Sequence, residues 1–266
     1  MNTVSTLPYS VSRLPAFNDN YLWLIDDGCR AITVDPGDAK VVKNALIERD
    51  LQLDYILTTH HHGDHTGGVS ELQAAFDAKV IGPDSPNIPQ VTQVVDDGQM
   101  IELMGITFTV IAVPGHTLDH IAYFAATPNP LGQPILFCGD TLFAGGCGRV
   151  FEGSYAQMRH SLEKLKALPQ DTRIHCAHEY TQANLNFAKI VEPDNLALAQ
   201  RVKTVSQQRA SNIPTVPSLL ADELATNPFL RYDKTAVIAA ATKRLNKKNL
   251  IGDEVFAAIR EWKDNF

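Results

Sequence analysis

The run Thr59-His60-His61-His62-Gly63-Asp64-His65 places three usable imidazoles and a carboxylate within six residues, directly after the apolar stretch Asp54-Tyr55-Ile56-Leu57-Thr58. Neutral imidazole and carboxylate are the donors that hard-to-borderline divalent metals take up. If the strand continues through His60 and His62, those side chains point one way and His61 the other. Asp64 and His65, leaving a Gly-initiated turn, then reach a second point. The segment reads as two pairs of ligands aimed at two neighbouring positions, half of a dinuclear site. Three later pieces read as the other half: Pro114-Gly115-His116-Thr117, Cys138-Gly139-Asp140-Thr141, and His175-Cys176-Ala177-His178-Glu179-Tyr180. The sum is five histidines and two aspartates. All nine histidines lie between His60 and His178 and none in the last 88 residues, a clustering that packing does not call for.

Such groups need strands that end together, because functional side chains in layered α/β proteins gather where strand-end loops converge. The pattern reads as short strands over Tyr9 to Leu14, Tyr21 to Ile25 and Ala31 to Val34; Asp35-Pro36-Gly37 ends the third and opens a helix through Glu48. Another strand leads into the histidine run, and Gly67 and Gly68 allow tight packing where a helix through Ala78 begins. Pro83 to Pro89 is a loop, and alternation near Val91, Met100 and Thr107 marks antiparallel strands. Strands around Ile121, Ile135 and Ile174 and a helix over Tyr155 to Leu165 repeat the plan. Beyond His178 the chain turns helical, over Thr181 to Val191, Asn195 to Gln208, Ala236 to Leu245 and Asp253 to Asp264, punctuated by Pro193, Pro214, Pro217 and Pro228. Periodicity alone says α/β followed by a helical C-terminal domain.

With 266 residues the chain suits one large domain with a small companion. Met1 to Leu14 lacks a basic leader and an apolar core of signal-peptide length, and no apolar run approaches membrane-spanning length, so a cytoplasmic protein is expected. Cys29, Cys138, Cys147 and Cys176 lack C-x-x-C spacing and read as free thiols of a reducing compartment. Residues 1–180 hold 11 Lys/Arg against 21 Asp/Glu, and residues 181–266 hold 12 against 9, so the two parts carry −10 and +3. The acidic larger part argues against nucleic acid as a partner. The locally basic C-terminal part suits a small anionic ligand or an ordinary solvated helical surface.

THxHxDH followed by separate His, Asp and His resembles the metallo-β-lactamase superfamily. The words GDTLFAGGCGR (Gly139 to Arg149) and HEYT (His178 to Thr181) are similar to those of the hydroxyacylglutathione hydrolase (glyoxalase II) family, and the likeness runs from Asn18-Asp19-Asn20-Tyr21 to Arg260-Glu261-Trp262-Lys263. The resemblance implies an αββα sandwich of two mixed sheets over residues 1–180, and a helical substrate-binding domain over residues 181–266. It implies two divalent metal ions, zinc first, with iron or manganese as alternatives. His60, His62 and His116 would bind one ion and Asp64, His65 and His178 the other, with Asp140 bridging them. Asp64 and Asp140 are thereby the catalytic carboxylates. Metal coordination lowers the pKa of a bridging water from ~15.7 toward ~7, which makes a hydroxide nucleophile available. Asp35 reads equally well as a hydrogen-bond partner of a ligand histidine and as part of an Asp-Pro-Gly turn. His61, His120, His160 and His175 are expected not to bind metal.

The resemblance also implies the substrate, S-(2-hydroxyacyl)glutathione, hydrolysed to glutathione and a 2-hydroxy acid, by a monomer. Arg149 and Tyr180 would contact glutathione, and Arg260 and Lys263, at i, i+3 on the last helix, would hold the glycine carboxylate. The same two charges also suit a solvated helix end near its dipole. Some relatives carry Tyr where this chain has Phe151, which reads as wall rather than ligand. Two rivals stand beside this expectation: a glutathione persulfide dioxygenase of the same superfamily, and a non-catalytic scaffold that keeps metal for stability.

Overall fold

The computed structural model describes residues 9–266, so the reading of Met1 to Leu14 falls mostly outside the described residues. Among the described residues no helix is long and apolar enough to cross a membrane. Among the described residues the strands make two six-stranded sheets and a two-stranded ribbon, and the chain divides into two compact units. The first unit takes the residues up to Ile111 together with Ile121–Phe137; the second takes Ala112–His120 and Cys138–Phe266.

In the first unit, β1 (Ser10–Ala16), β2 (Asn20–Asp26) and β3 (Arg30–Val34) form an antiparallel meander, with Leu14 opposite Leu22 and Ile25 opposite Ile32. Asp38 starts α1 (Ala39–Arg49) by accepting the Lys40 and Val41 N–H groups, and Asp50 ends it in the left-handed conformation. This crossover brings β4 (Gln52–Leu57) parallel to β3, which closes a βαβ unit. A short α2 (Gly63–Thr66) and then α3 (Val69–Phe76) lead to β5 (Lys79–Gly82) and β6 (Gln93–Val94), both added in parallel. The sheet is therefore mixed. The strands β7 (Met100–Leu103), β8 (Ile106–Ala112), β9 (Ile121–Ala125) and β10 (Ile135–Gly139) lie side by side in the second sheet, in the order β10-β9-β8-β7.

Every residue of β2 and of β9 is buried, as expected of strands covered on both faces. On one face Val42, Ala45 and Leu46 of α1 and Leu72 of α3 pack with Leu22, Leu24, Ile56 and Val80. On the other, Trp23 of β2 meets Phe137 of β10 edge-on at 6.4 Å, and the Tyr123 hydroxyl of β9 donates to the Thr58 carbonyl at 2.9 Å. Helix, sheet and sheet thus stack within this unit alone.

The second unit contains the ribbon of β11 (Leu142–Phe143) and β12 (Gly146–Cys147). Helix α4 (Tyr155–Lys166) starts at a Ser154/Gln157 capping box. After it come β13 (Arg173–Cys176), α5 (Thr181–Val191) and α6 (Leu196–Ala210), the last capped by Asn195. Then β14 (Ser218–Leu219) pairs antiparallel with β13, followed by α7 (Leu220–Thr226), α8 (Thr235–Leu245) and α9 (Asp253–Asp264). Leu185 and Ala188 of α5 pack on Leu198 and Val205 of α6.

The helices expected from periodicity are present to within two residues at each end. The strand before the histidines differs: it stops at Leu57, and residues 58–62 are irregular. The ribbon, β14, α2 and α7 were not anticipated, being too short to show a period.

Candidate functional site

In the first unit Asp35, at the end of β3, organises the histidine loop. Its Oδ1 accepts the Thr59 N–H at 2.7 Å, and its Oδ2 accepts the Thr59 hydroxyl at 2.7 Å. Oδ2 also lies 3.0 Å from His65 Nδ1. A carboxylate only accepts, so a neutral His65 carries its proton on Nδ1 and turns its Nε2 lone pair toward Asp64 Oδ2, 3.5 Å away. The Thr59 hydroxyl has one proton and gives it to Asp35. It must therefore accept from His60 Nδ1, 3.0 Å away, which leaves a lone pair on His60 Nε2. That nitrogen lies 3.2 Å from His62 Nδ1. Asn20 donates to Asp64 Oδ2 at 2.9 Å. His60 and His65 are fully buried, whereas His62 and Asp64 are half-buried. The chain passes so close that a Cβ at Gly37 would lie 1.8 Å from the Asp64 carbonyl oxygen.

The convergence of His60 and His62 is thus real, but alternation along a strand does not cause it. Asp35 captures both hydrogen-bond donors of Thr59 where the chain leaves the sheet. Of the two readings of Asp35, the hydrogen bond to a site histidine is present, and the residue also adopts the left-handed turn conformation, with φ 51°.

The second unit brings His116, Asp140 and His178 together. His116 Nδ1 lies 2.7 Å from the Arg149 carbonyl, which can only accept, so a neutral His116 turns its Nε2 lone pair toward Asp140 Oδ2, 3.4 Å away. Asp140 Oδ1 lies 3.4 Å from His178 Nε2, so each oxygen of this one carboxylate addresses a different imidazole. The Asp140 N–H donates to His120 Nε2 at 3.0 Å. A Cβ at Gly148 would lie 1.9 Å from the Asp140 carbonyl oxygen, so only glycine fits where the ribbon closes. His178 stacks on Tyr180 with centroids 4.7 Å apart, and Phe143 meets both rings edge-on.

Arg149 and Arg260 share one carboxylate. Asp264 Oδ1 takes the Arg149 Nε at 3.2 Å and the Arg260 guanidinium at 3.1 Å. Arg260 is buried, donates to the Cys147 carbonyl at 2.9 Å and lies over the Phe229 ring at 4.8 Å. Lys263 is half-buried over the Phe187 and Phe266 rings; burial and then the Arg260 charge lower its pKa from the ordinary 10.5. Arg260 and Lys263 therefore differ, the first turned inward and the second closer to solvent. Burial also pushes the Cys147 thiol up to about 11 and the Cys176 thiol up to about 12.

Sequence reasoning set His120 aside and missed Asn20 and Asp264 as partners of site residues. Asp264, four residues after Arg260, had a helical-spacing signal; His120 and Asn20 had none. His160 is exposed beside Arg159, and His175 Nδ1 faces the Arg173 carbonyl at 3.1 Å.

With neutral rings, acceptors face acceptors in both units: the His65 lone pair faces Asp64, and the His116 lone pair faces Asp140. Lone pairs and anionic oxygens at such distances suit a cation placed between them, and nitrogen with carboxylate oxygen is the donor set of a divalent metal. Residues 18–178 match the model of the metallo-beta-lactamase superfamily, and residues 179–266 match that of the hydroxyacylglutathione hydrolase C-terminus. The chain is 49% identical to the hydroxyacylglutathione hydrolase of Pseudomonas aeruginosa, over 96% of this chain and 99% of that protein. It belongs to the hydroxyacylglutathione hydrolase family. The protein of that name from Photobacterium profundum is 50% identical, with 97% and 99% covered. Among solved structures, ETHE1 from Myxococcus xanthus superposes with a TM-score of 0.62 at 23% identity, with 96% of this chain and 98% of that one covered. At that identity the likeness speaks for the fold, which is the expected one of two mixed sheets with helices and a helical C-terminal part.

Proposed function

We infer that this protein hydrolyses the thioester of S-(2-hydroxyacyl)glutathione, S-D-lactoylglutathione being the typical case, to glutathione and a 2-hydroxy acid. That is the second step of methylglyoxal detoxification. The observation that carries the inference is the 49% identity, over nearly the full length, to a named hydroxyacylglutathione hydrolase, in a chain that holds all seven expected donors.

The donor chemistry of both units fits two divalent ions. His60, His62 and His116 would hold one, Asp64, His65 and His178 the other, and Asp140, with an oxygen for each, would serve both. Zinc suits these nitrogen and oxygen donors best, and iron or manganese would also fit. When bound, such ions supply a water acidic enough to ionise near pH 7 and polarise the thioester carbonyl. The protein's own part is orientation. Asp35 and the Arg149 carbonyl hold their histidines in the tautomer that offers Nε2, and Asn20 steadies Asp64. The leaving thiolate, with an intrinsic pKa of ~8.5, departs without a strong general acid, and the motifs contain no obvious one. Residues 1–180 would be the catalytic part and residues 181–266 the substrate-binding part, with Arg149, Tyr180, Arg260 and Lys263 as glutathione contacts. A cytoplasmic monomer completes the reading.

The test is steady-state hydrolysis of S-D-lactoylglutathione before chelation, after it, and after metal restoration. Turnover that disappears and returns with the metal is expected. A folded, metallated protein without turnover would overturn the inference and favour persulfide chemistry, read as oxygen consumption.

A further inference from the structure

The ribbon Leu142–Cys147 is too short to hold itself. It has two paired positions, Leu142 with Cys147 and Phe143 with Gly146, and isolated two-stranded ribbons are marginal even when longer. Yet it stands between two groups that the site needs. Asp140 precedes it by two residues, and Arg149, whose carbonyl holds His116 Nδ1, follows it by two.

Side chains from the C-terminal helical part satisfy its backbone. The N–H of Gly145, at the turn, donates to Glu223 Oε2 at 2.7 Å. The Asn227 amide donates to the Phe143 carbonyl at 3.2 Å and to the Gly146 carbonyl at 2.9 Å. The same amide lies 3.2 Å from Glu223 Oε2, so its two protons are shared among three acceptors. Arg260 donates to the Cys147 carbonyl. Glu223 and Asn227 are fully buried, and Glu223 pairs with Arg201 of α6 through its other oxygen. Burying an ion pair costs desolvation and is weak evidence for stability on its own. Here the charged oxygen is aimed at a turn 78 residues away in the chain.

We propose that Glu223 and Asn227 are positioning residues for the metal centre. They hold the ribbon so that Asp140 and the Arg149 carbonyl stay in register with His116 and His178. The C-terminal helical part thereby shapes the metal site besides any part in substrate binding. This proposal rests on the metal reading given under Proposed function.

The experiment compares two double variants with the whole protein. Glu223→Met with Arg201→Met removes the ion pair without stranding a buried charge, and also removes the ribbon's acceptor. Glu223→Gln with Arg201→Met removes the same pair but leaves a side-chain oxygen for the Gly145 N–H. Zinc affinity of the apoproteins, by competition with a chromophoric chelator, is read beside the thermal midpoint and the kcat–KM split. Zinc affinity about 10–100-fold lower in the first variant and near wild type in the second is expected, the size of effect typical of groups that orient metal ligands. Asn227→Ala should show the same loss, with kcat reduced more than KM is raised. Equal zinc affinities in the two double variants, or wild-type affinity in Asn227→Ala, would overturn the proposal even where thermal midpoints fall. Absence of thioester hydrolysis in the wild type would instead count against the proposed activity, since the zinc comparison does not depend on turnover.

Discussion

Asp35 Oδ2 lies 3.0 Å from His65 Nδ1, and the same carboxylate accepts both the N–H and the hydroxyl of Thr59 at 2.7 Å. One buried side chain therefore fixes the tautomer of His65 directly and that of His60 through Thr59. Asp35→Ala should lower metal affinity about 10–100-fold. Asp35→Asn, which keeps an oxygen acceptor but loses the charge, should fall between it and the wild type. Chelator competition measures both, and equal affinity in all three proteins would remove Asp35 from the site.

Asp140→Ala should lose metal and activity together, because one carboxylate addresses two imidazoles. Metal analysis of the purified variant against its turnover is the check. Two equivalents of metal retained without activity would mean that Asp140 acts other than by binding.

Gly148→Ala should displace Asp140, since the new Cβ would start 1.9 Å from the Asp140 carbonyl oxygen. Backbone cannot yield as a flexible side chain can. A kcat reduced by at least about 10-fold, the loss typical of a misplaced ligand shell, with an unchanged circular-dichroism spectrum is expected.

Lys263→Ala should mainly raise KM. A charge-assisted contact to an anion contributes about 1.5–3 kcal/mol, or roughly 10–100-fold in KM. Burial and the Arg260 charge depress the Lys263 pKa below 10.5, so its positive charge, needed for anion binding, is lost earlier than usual as pH rises. KM should therefore climb at alkaline pH before an ordinary lysine would titrate, and Lys263→Arg should move that climb to higher pH. An unchanged KM in Lys263→Ala would dismiss the C-terminal anion clamp.

Thiol reactivity should separate the four cysteines. Cys29 is exposed, whereas Cys138, Cys147 and Cys176 are buried, and burial raises the latter two thiols to about 11 and about 12. Because the thiolate is the nucleophile, these two hold almost none of it at pH 8. A chromogenic disulfide reagent should count one fast thiol in the native protein and four in denaturant. Rapid native modification of more than one would contradict the burial.

The donors were legible because their types are rare and their spacing is local. His60, His62, Asp64 and His65 announce a metal site within six residues, whatever the backbone does there. The cause of their convergence was not legible: alternation along a strand was the natural reading, and capture of Thr59 by Asp35, 24 residues earlier, ends the strand instead. Arg260 shows the same limit. Its spacing from Lys263 suggests two charges side by side at the surface, yet the fold turns Arg260 inward onto the Cys147 carbonyl, 113 residues away. The ribbon and α7 left no trace in periodicity, being only two paired positions and seven residues long.

Residue types, their order and the periods of 2 and 3.6 were enough by themselves to set the donor inventory, the α/β character and the helical end of the chain. Those properties depend on neighbours in sequence. Tertiary structure alone decided which ring nitrogen of His60, His65 and His116 is turned to a fixed acceptor, which oxygen of Asp140 each imidazole faces, and which guanidinium is buried. Each of these depends on a partner brought close by folding, such as Asp35 for His65 across 30 residues and the Arg149 carbonyl for His116 across 33. A hydrogen bond reaches only about 3 Å, so no local pattern can encode which of two distant groups it will join.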